Sequence, residues 1–314
     1  MQNYSSRIDK IKKEFPVIQK ENFTPASDGT HYKVFLSNKY AIRFRDDNPR
    51  ILSREANFLK QINHPLVPKV LWMGKIDKSI AMVENRLPGK TINTVWKTLP
   101  KNSQTNIIKQ IIQFLKYLKT QTKEHIYSVN TGKKYSNSSD YFTDNIRQKI
   151  SGIKKNKQTH KIIKDILSII KQPETKRLFF STEKTTLVHG DLIIHNLLTD
   201  GRNLTGVLDW ELALFGDSDY DLFRLFYYQE CAKAYQEQGI DESFEAEYMD
   251  ELITAIFESN LIENKKLFQR KYKFVRAIFH LNALHWAANS ADPEKNINEL
   301  IAQRDKKGAK CAHV

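Results

Sequence analysis

The chain has 314 residues, 40% of them hydrophobic, enough to bury one large domain or two lobes. Its first two dozen residues are polar and charged, and no uncharged apolar run reaches the length of a membrane span, so a soluble, cytoplasmic protein with no membrane partner is expected, a monomer in preference to an oligomer. The only cysteines, Cys231 and Cys311, sit in no metal-ligand spacing, which excludes a disulfide framework and leaves two expected free thiols.

A formal net charge of +14 would by itself suggest nucleic acid, anionic lipid or a phosphorylated ligand. The lysines crowd residues 101–177, among them Lys133, Lys134, Lys154, Lys155, Lys157, Lys161 and Lys164, and alternate with Asn, Gln and Ser instead of stacking aromatics. That pattern reads as a solvated face, and nucleic acid is not expected as a partner. Acidic residues gather instead between Asp209 and Glu251, where only Arg224 and Lys233 oppose them.

In chain order, residues 1–22 read as a partly helical lead with Ile8, Ile11, Phe15 and Ile18 at helical spacing. Strands follow over 23–36 and 39–44, with Ser27-Asp28-Gly29-Thr30 as a polar turn within the first stretch. A helix over 49–62 presents Ile51, Leu52, Ala56, Leu59 and Ile62 on one face, and strands recur at 70–73 and 80–85. The chain then turns helical over 102–124, with Ser103 as candidate N-cap, and passes through a Ser-, Asn-, Lys- and Gly-rich stretch at 125–157 that reads as a loop. A short helix is expected at 159–171 and four more at 220–237, 242–258, 265–288 and 293–304.

Between these helical regions lies the stretch that carries chemistry, Leu187 to Trp210. A strand-like Thr186-Leu187-Val188 leads into His189-Gly190-Asp191, followed by apolar Leu192, Ile193 and Ile194, then Asn196, and a second apolar run ends in Leu208-Asp209-Trp210. Asp191 and Asn196 have the five-residue separation of the kinase loop H-R-D-L-x-x-x-N, with Gly190 in the place of the Arg. Phosphoryl transfer requires a carboxylate that orients and deprotonates the acceptor hydroxyl, here Asp191, and oxygen ligands for Mg²⁺, here Asn196 and Asp209. His195, Asp217 and Asp221 read as positional, and His280 and His285 lack the i, i+4 spacing of a zinc helix.

His189 to Asn196 together with Leu208-Asp209-Trp210 resembles the aminoglycoside phosphotransferase and choline kinase family, and the thirty or so residues from Asn196 to Ser218 and their flanks are most similar to the hygromycin B phosphotransferases within it. The resemblance implies an α+β, bilobal, protein-kinase-like fold. Residues 1–87 would form an antiparallel-sheet nucleotide-binding lobe with one helix, and residues 88–314 a mostly helical lobe holding the catalytic loop and acceptor site. It also implies Mg²⁺-dependent transfer of the γ-phosphoryl of ATP or GTP to a hydroxyl of a small molecule. By position, Gly29 would approach the nucleotide phosphates, Ala41 would admit the adenine ring and Arg43 would pair with phosphate oxygens, with Arg45 as fallback. Glu55 would orient Arg43, and Glu84 and Arg86 would belong to the hinge beside the adenine edge. Family members often carry Lys where this chain has Arg43, and the two cations are not equivalent.

The expected acceptor is a polycationic aminoglycoside or aminocyclitol antibiotic, held by carboxylates downstream of Asp209, with Glu211, Glu230 and Asp241 as candidates. Two alternatives stay open from sequence. One is a different hydroxyl acceptor such as choline, homoserine, thioribose or a macrolide, with Trp210, Tyr220, Phe223, Phe226, Tyr227 and Tyr228 available for a choline cage. The other is a binding protein for nucleic acid or an anionic surface, in which the kinase motif is degenerate.

Overall fold

The computed structural model describes residues 4–26, 33–77, 79–153, 157–171, 185–237 and 243–290, with 178, 292–293 and 295–296. The strands are β1 (Thr24–Pro25), β2 (Lys33–Leu36), β3 (Tyr40–Arg45), β4 (Val70–Ile76), β5 (Ser79–Asn85), β6 (Lys90–Thr91), β7 (Thr122–Lys123), β8 (Ile126–Ser128), β9 (Lys134–Tyr135), β10 (Thr185–Val188), β11 (Leu197–Thr199), β12 (Leu204–Val207) and β13 (Leu214–Gly216). The helices are α1 (Tyr4–Glu14), α2 (Pro49–Leu59), α3 (Ile92–Val95), α4 (Lys101–Thr120), α5 (Ser138–Ser151), α6 (Lys157–Ile170), α7 (Tyr220–Glu237), α8 (Ser243–Glu258) and α9 (Lys265–Ala288). Of the expected helix at 293–304 only residues 293, 295 and 296 are described, and they are helical; the turn at 27–30, with Gly29, lies outside the described residues.

Two compact units divide the chain: Met1–Tyr117 with Tyr127–Lys134 and Val188–Leu214, and Leu118–Ile126 with Tyr135–Leu187 and Phe215–Val314. The division crosses the chain several times, whereas the sequence suggested one boundary after residue 87. As a result the whole of the His189–Trp210 stretch falls within the first unit.

The first unit is built on an antiparallel sheet in the order β1-β2-β3-β5-β4. Alternation along β3 puts Ala41, Arg43 and Arg45 on one face, in register with Glu84, Met82 and Ile80 of β5. The other face, through Ile42 and Phe44, joins Ile8 and Ile11 of α1 and Ile18 in one apolar cluster. Helix α1 is further tied down by Arg7 and Tyr4, which both donate to Asp46 at 3.0 and 2.7 Å. Helix α2 starts at Pro49, whose fixed φ suits the first turn, and buries Ile51, Leu52, Ala56, Phe58 and Leu59 together with one charged residue, Glu55. A second small sheet, β12-β11-β6, brings β11 and β12 together as a hairpin with Leu197 opposite Val207.

The second unit is helical apart from short strands such as β10, which pairs with β7. Two readings of the sequence need correcting, one in each unit. Residues 125–157 are not a loop, because α5 spans Ser138–Ser151: Asn137 caps it by accepting from the Asp140 N–H at 2.9 Å, and Tyr141, Phe142 and Ile146 are buried. Polar composition concealed these apolar residues. Ser103, expected as an N-cap, lies inside α4, where its N–H donates to the carbonyl of Pro100. Helix α9 is the longest of the described residues and sends Phe268, Phe274, Val275, Ile278, Leu281 and Leu284 into the core. No helix among the described residues is long and apolar enough to cross a membrane.

Candidate active site

The stretch from His189 to Trp210 is held by side chains that satisfy its own backbone. His189 is fully buried and its Nε2 lies 3.0 Å from the carbonyl oxygen of Leu208, while Nδ1 accepts from the Asp191 N–H at 3.2 Å. These partners assign the tautomer with the proton on Nε2. Burial lowers the imidazole pKa to about 4, more than the nearby Asp191 charge and the Leu208 carbonyl raise it, so the ring stays neutral. It also meets Trp210 edge-on at 4.6 Å. Gly190 has φ +84, and a Cβ there would stand 2.4 Å from the Leu212 carbonyl oxygen, which explains glycine where protein kinases have arginine.

The five-residue spacing closes through one 3₁₀ turn at Ile194–Asn196. Asn196 Nδ2 donates to the Asp191 carbonyl at 2.9 Å and to Asp191 Oδ2 at 3.1 Å, leaving its amide oxygen for another partner. The Asn196 carbonyl accepts from the Leu208 N–H at 2.8 Å, so the β11–β12 hairpin delivers Asp209 beside Asn196. Asp209 has φ +62, the left-handed region that non-glycine residues seldom occupy, and its Oδ1 is buried without a hydrogen-bond partner. Burial raises this carboxyl to about pH 7, helped by the Glu55, Glu211 and Asp191 charges and opposed by Arg43. A partnerless carboxylate oxygen next to an amide oxygen suits a hard divalent cation whose other ligands are water and phosphate.

Arg43 and Glu55, twelve residues apart in sequence, form a buried two-pronged ion pair at 2.7 and 3.1 Å. The same carboxylate accepts from the Trp210 N–H at 3.2 Å, so one glutamate joins β3, α2 and the residue after Asp209. Glu84 is buried on the same sheet face, with Oε2 3.8 Å from Arg43 Nη1 and no hydrogen-bond partner. Burial pushes Glu84 up to about 7 against the pull of Arg43. Ala41 is buried opposite Glu84. Arg86 is turned to structural work: its N–H donates to the Lys39 carbonyl at 2.8 Å and its Nη1 to the Ser37 carbonyl at 2.7 Å. Arg45 binds Asp47 and Glu211. The structure thus brings together Asp191, Asn196, Asp209, Arg43 and Glu55. Sequence reasoning missed His189 as the residue that ties the two loops; its place between an apolar strand and a glycine was the available signal.

Several carboxylates of the acidic stretch after Asp209 are paired, most of these with cations from distant segments. Asp217 binds Lys271 at 2.7 Å, Asp219 binds Lys119 at 2.8 Å, Asp250 binds Lys233 at 2.8 Å, and Glu230 binds Arg276 and Tyr272, both at 2.7 Å. Of the candidate acceptor carboxylates, Glu211 binds Arg45, Glu230 is so paired, and Asp241 lies outside the described residues. The rings offered for a choline cage are in use as well. Trp210, Tyr220, Phe223 and Tyr227 are buried, Phe226 packs on Phe257, Phe268 and Tyr272, and Arg224 covers Tyr228.

Loop, hairpin and ion pair come together within a kinase-like fold and make the candidate active site. The profile of the phosphotransferase enzyme family matches residues 23–252, and the chain belongs to that family. It is similar to the hygromycin-B 4-O-kinase of Escherichia coli, with 38% identity over 52 residues, 17% of this chain; the match spans 15% of that relative's length. Its fold is similar to that of aminoglycoside phosphotransferase APH(4)-Ia, with a TM-score of 0.68 and 17% identity over 95% of this chain and 98% of that one. A ternary complex of an APH(4)-Ia mutant with AMP-PNP and hygromycin B aligns with a TM-score of 0.67 at 16% identity, covering 95% and 99% of the two chains. The gentamicin complex of APH(2")-IIa aligns with a TM-score of 0.65 at 18% identity, covering 94% of each.

Proposed function

We propose that this protein transfers the γ-phosphoryl of ATP, or of GTP, to a hydroxyl of an aminoglycoside or aminocyclitol antibiotic. The observation that carries the reaction is the meeting of Asp191, Asn196 and Asp209, with a partnerless Asp209 oxygen, inside a frame fixed by Glu55 and His189. The Asp191 carboxylate accepts the acceptor's hydroxyl proton as that oxygen bonds to the γ-phosphorus; the bond to the β–γ bridging oxygen breaks and the nucleoside diphosphate leaves. Asn196 and Asp209 would hold Mg²⁺, which when bound neutralises charge on the phosphates. Arg43, oriented by Glu55, pairs with phosphate oxygens, and Ala41 leaves room for the base beside Glu84 and Arg86. Gly29 is assigned to the phosphates on sequence grounds alone.

The acceptor class rests on the solved relatives that hold hygromycin B, gentamicin and streptomycin, and the adenine nucleotide on those that hold AMP-PNP and ADP. The test is Mg²⁺-dependent ADP and GDP release against hygromycin B, gentamicin, streptomycin, choline and a macrolide. Stimulation by an aminoglycoside, lost in Asp191→Ala, is the expected result. Stimulation by choline or the macrolide alone would overturn the acceptor class, and no stimulated turnover with any of them would overturn the antibiotic reading.

A further inference from the structure

Two arginines leave the same face of β3, and they have different partners. Arg43 meets Glu55, while Arg45, whose side chain is 7% exposed, donates from Nε to Asp47 Oδ1 at 3.0 Å and from Nη1 to Glu211 Oε2. Glu211 lies 166 residues further along the chain and two residues after Asp209. Every residue around Asp209 is anchored: the Leu208 carbonyl by His189, the Trp210 N–H by Glu55, the Trp210 indole N–H by the Val207 carbonyl, and Glu211 by Arg45. Asp209 itself has φ +62 and a partnerless Oδ1. A left-handed non-glycine residue persists only where its surroundings over-determine it. The guanidinium fork can meet two carboxylates in fixed directions at once, which a lysine ammonium on a flexible stem does not do in the same geometry.

We infer that Arg45 and Glu211 are a positioning pair that fixes the Asp209 carboxylate toward the cation, and that Arg45 is not a second phosphate ligand. The inference rests on the proposed metal role of Asp209. It also removes Glu211 from the acceptor-binding carboxylates, because that side chain is held on β3.

The test is titration of Mn²⁺, followed by electron paramagnetic resonance in the presence of AMP-PNP, on wild type, Arg45→Met, Arg45→Lys, Glu211→Gln and the double variant Arg45→Met/Glu211→Gln. Thermal unfolding confirms that each is folded. Loss of a group that orients a metal ligand typically weakens the metal by about 10–100-fold, and Arg45→Met and Glu211→Gln are expected in that range. Arg45→Lys falls between them and wild type, and the double variant is no weaker than the worse single, since both remove one interaction. The concentration of Mg²⁺ that half-saturates turnover rises in parallel, while the nucleotide KM at saturating Mg²⁺ stays within about twofold, as for a contact that does not touch the nucleotide. If Arg45→Met instead raises nucleotide KM at unchanged Mn²⁺ affinity, Arg45 is a phosphate ligand and the inference is wrong. If wild type itself binds no Mn²⁺ with AMP-PNP, the metal role of Asp209 fails and this inference fails with it, a result distinct from the first.

Discussion

The buried charges of the two units follow different rules. In the helical unit Asp217 and Asp219 each meet a cation: Asp217 has both Lys271 and the Asp219 N–H, and Asp219 has Lys119. In the sheet unit, carboxylates gather around Arg43, and Glu84 and Asp209 each keep a buried oxygen without a hydrogen-bond partner. One of them also sits on a left-handed backbone. Paired buried charges are what stability and a unique packing permit, whereas partnerless oxygens and local strain mark a place shaped for something bound there. The first group serves as scaffold, and the second belongs to the proposed site.

Removing the carboxylate proposed to take the acceptor's proton is the largest way to break that contrast. Asp191→Ala is expected to lower kcat by about 10²–10⁴-fold, the usual worth of a general base, with the unfolding midpoint little changed. Its scaffold counterpart is Asp217→Ala, which leaves Lys271 buried without its partner. Differential scanning calorimetry should show a loss of about 3–5 kcal/mol, with kcat of the folded fraction retained. If Asp217→Ala abolished turnover in folded protein, the division into scaffold and site would be wrong.

Glu84 sharpens the contrast through pH. Its folded pKa of about 7 lies above its ordinary value of 4.5, so the folded state holds this proton more tightly than the unfolded state does. Its stabilising contribution is present below about pH 4.5 and is lost as pH rises through about 7. Glu84→Gln should therefore gain on wild type by up to about 3 kcal/mol between those limits, and denaturant titrations at pH 4.5 and pH 8 would measure it. An equal difference at both pH values would mean that Glu84 is already charged when folded.

Gly190→Ala tests the loop frame: a Cβ 2.4 Å from the Leu212 carbonyl at φ +84 should cost about 1–3 kcal/mol and lower kcat, read by unfolding and turnover together. Asn137→Ala, at the cap of α5 in the scaffold unit, should cost about 1 kcal/mol in stability and leave kcat alone.

Much of this was legible in the sequence because it is local. The Asp191–Asn196 spacing is that of one tight turn, and strand alternation placed Ala41 and Arg43 on one face before any coordinates. The Arg43–Glu55 pair followed from strand and helix order in the resembled fold. What remained hidden was non-local. The acidic stretch after Asp209 looked unopposed because Lys119, Lys271 and Arg276 lie far away in sequence. Arg45 and Glu211, 166 residues apart, gave no sign of each other. Helix α5 was masked by polar composition, although its Asn137 cap and its buried Tyr141 and Phe142 are plain in hindsight.

The most direct measurement pairs AMP-PNP·Mg²⁺ binding by calorimetry with single-turnover phosphoryl transfer from ATP, on wild type and Asp191→Asn. A phosphoryl-transfer site organised around Asp191 predicts that the variant binds the nucleotide within a few-fold of wild type and transfers no phosphoryl group to the acceptor on the wild-type timescale. Transfer by Asp191→Asn at the wild-type rate would contradict it.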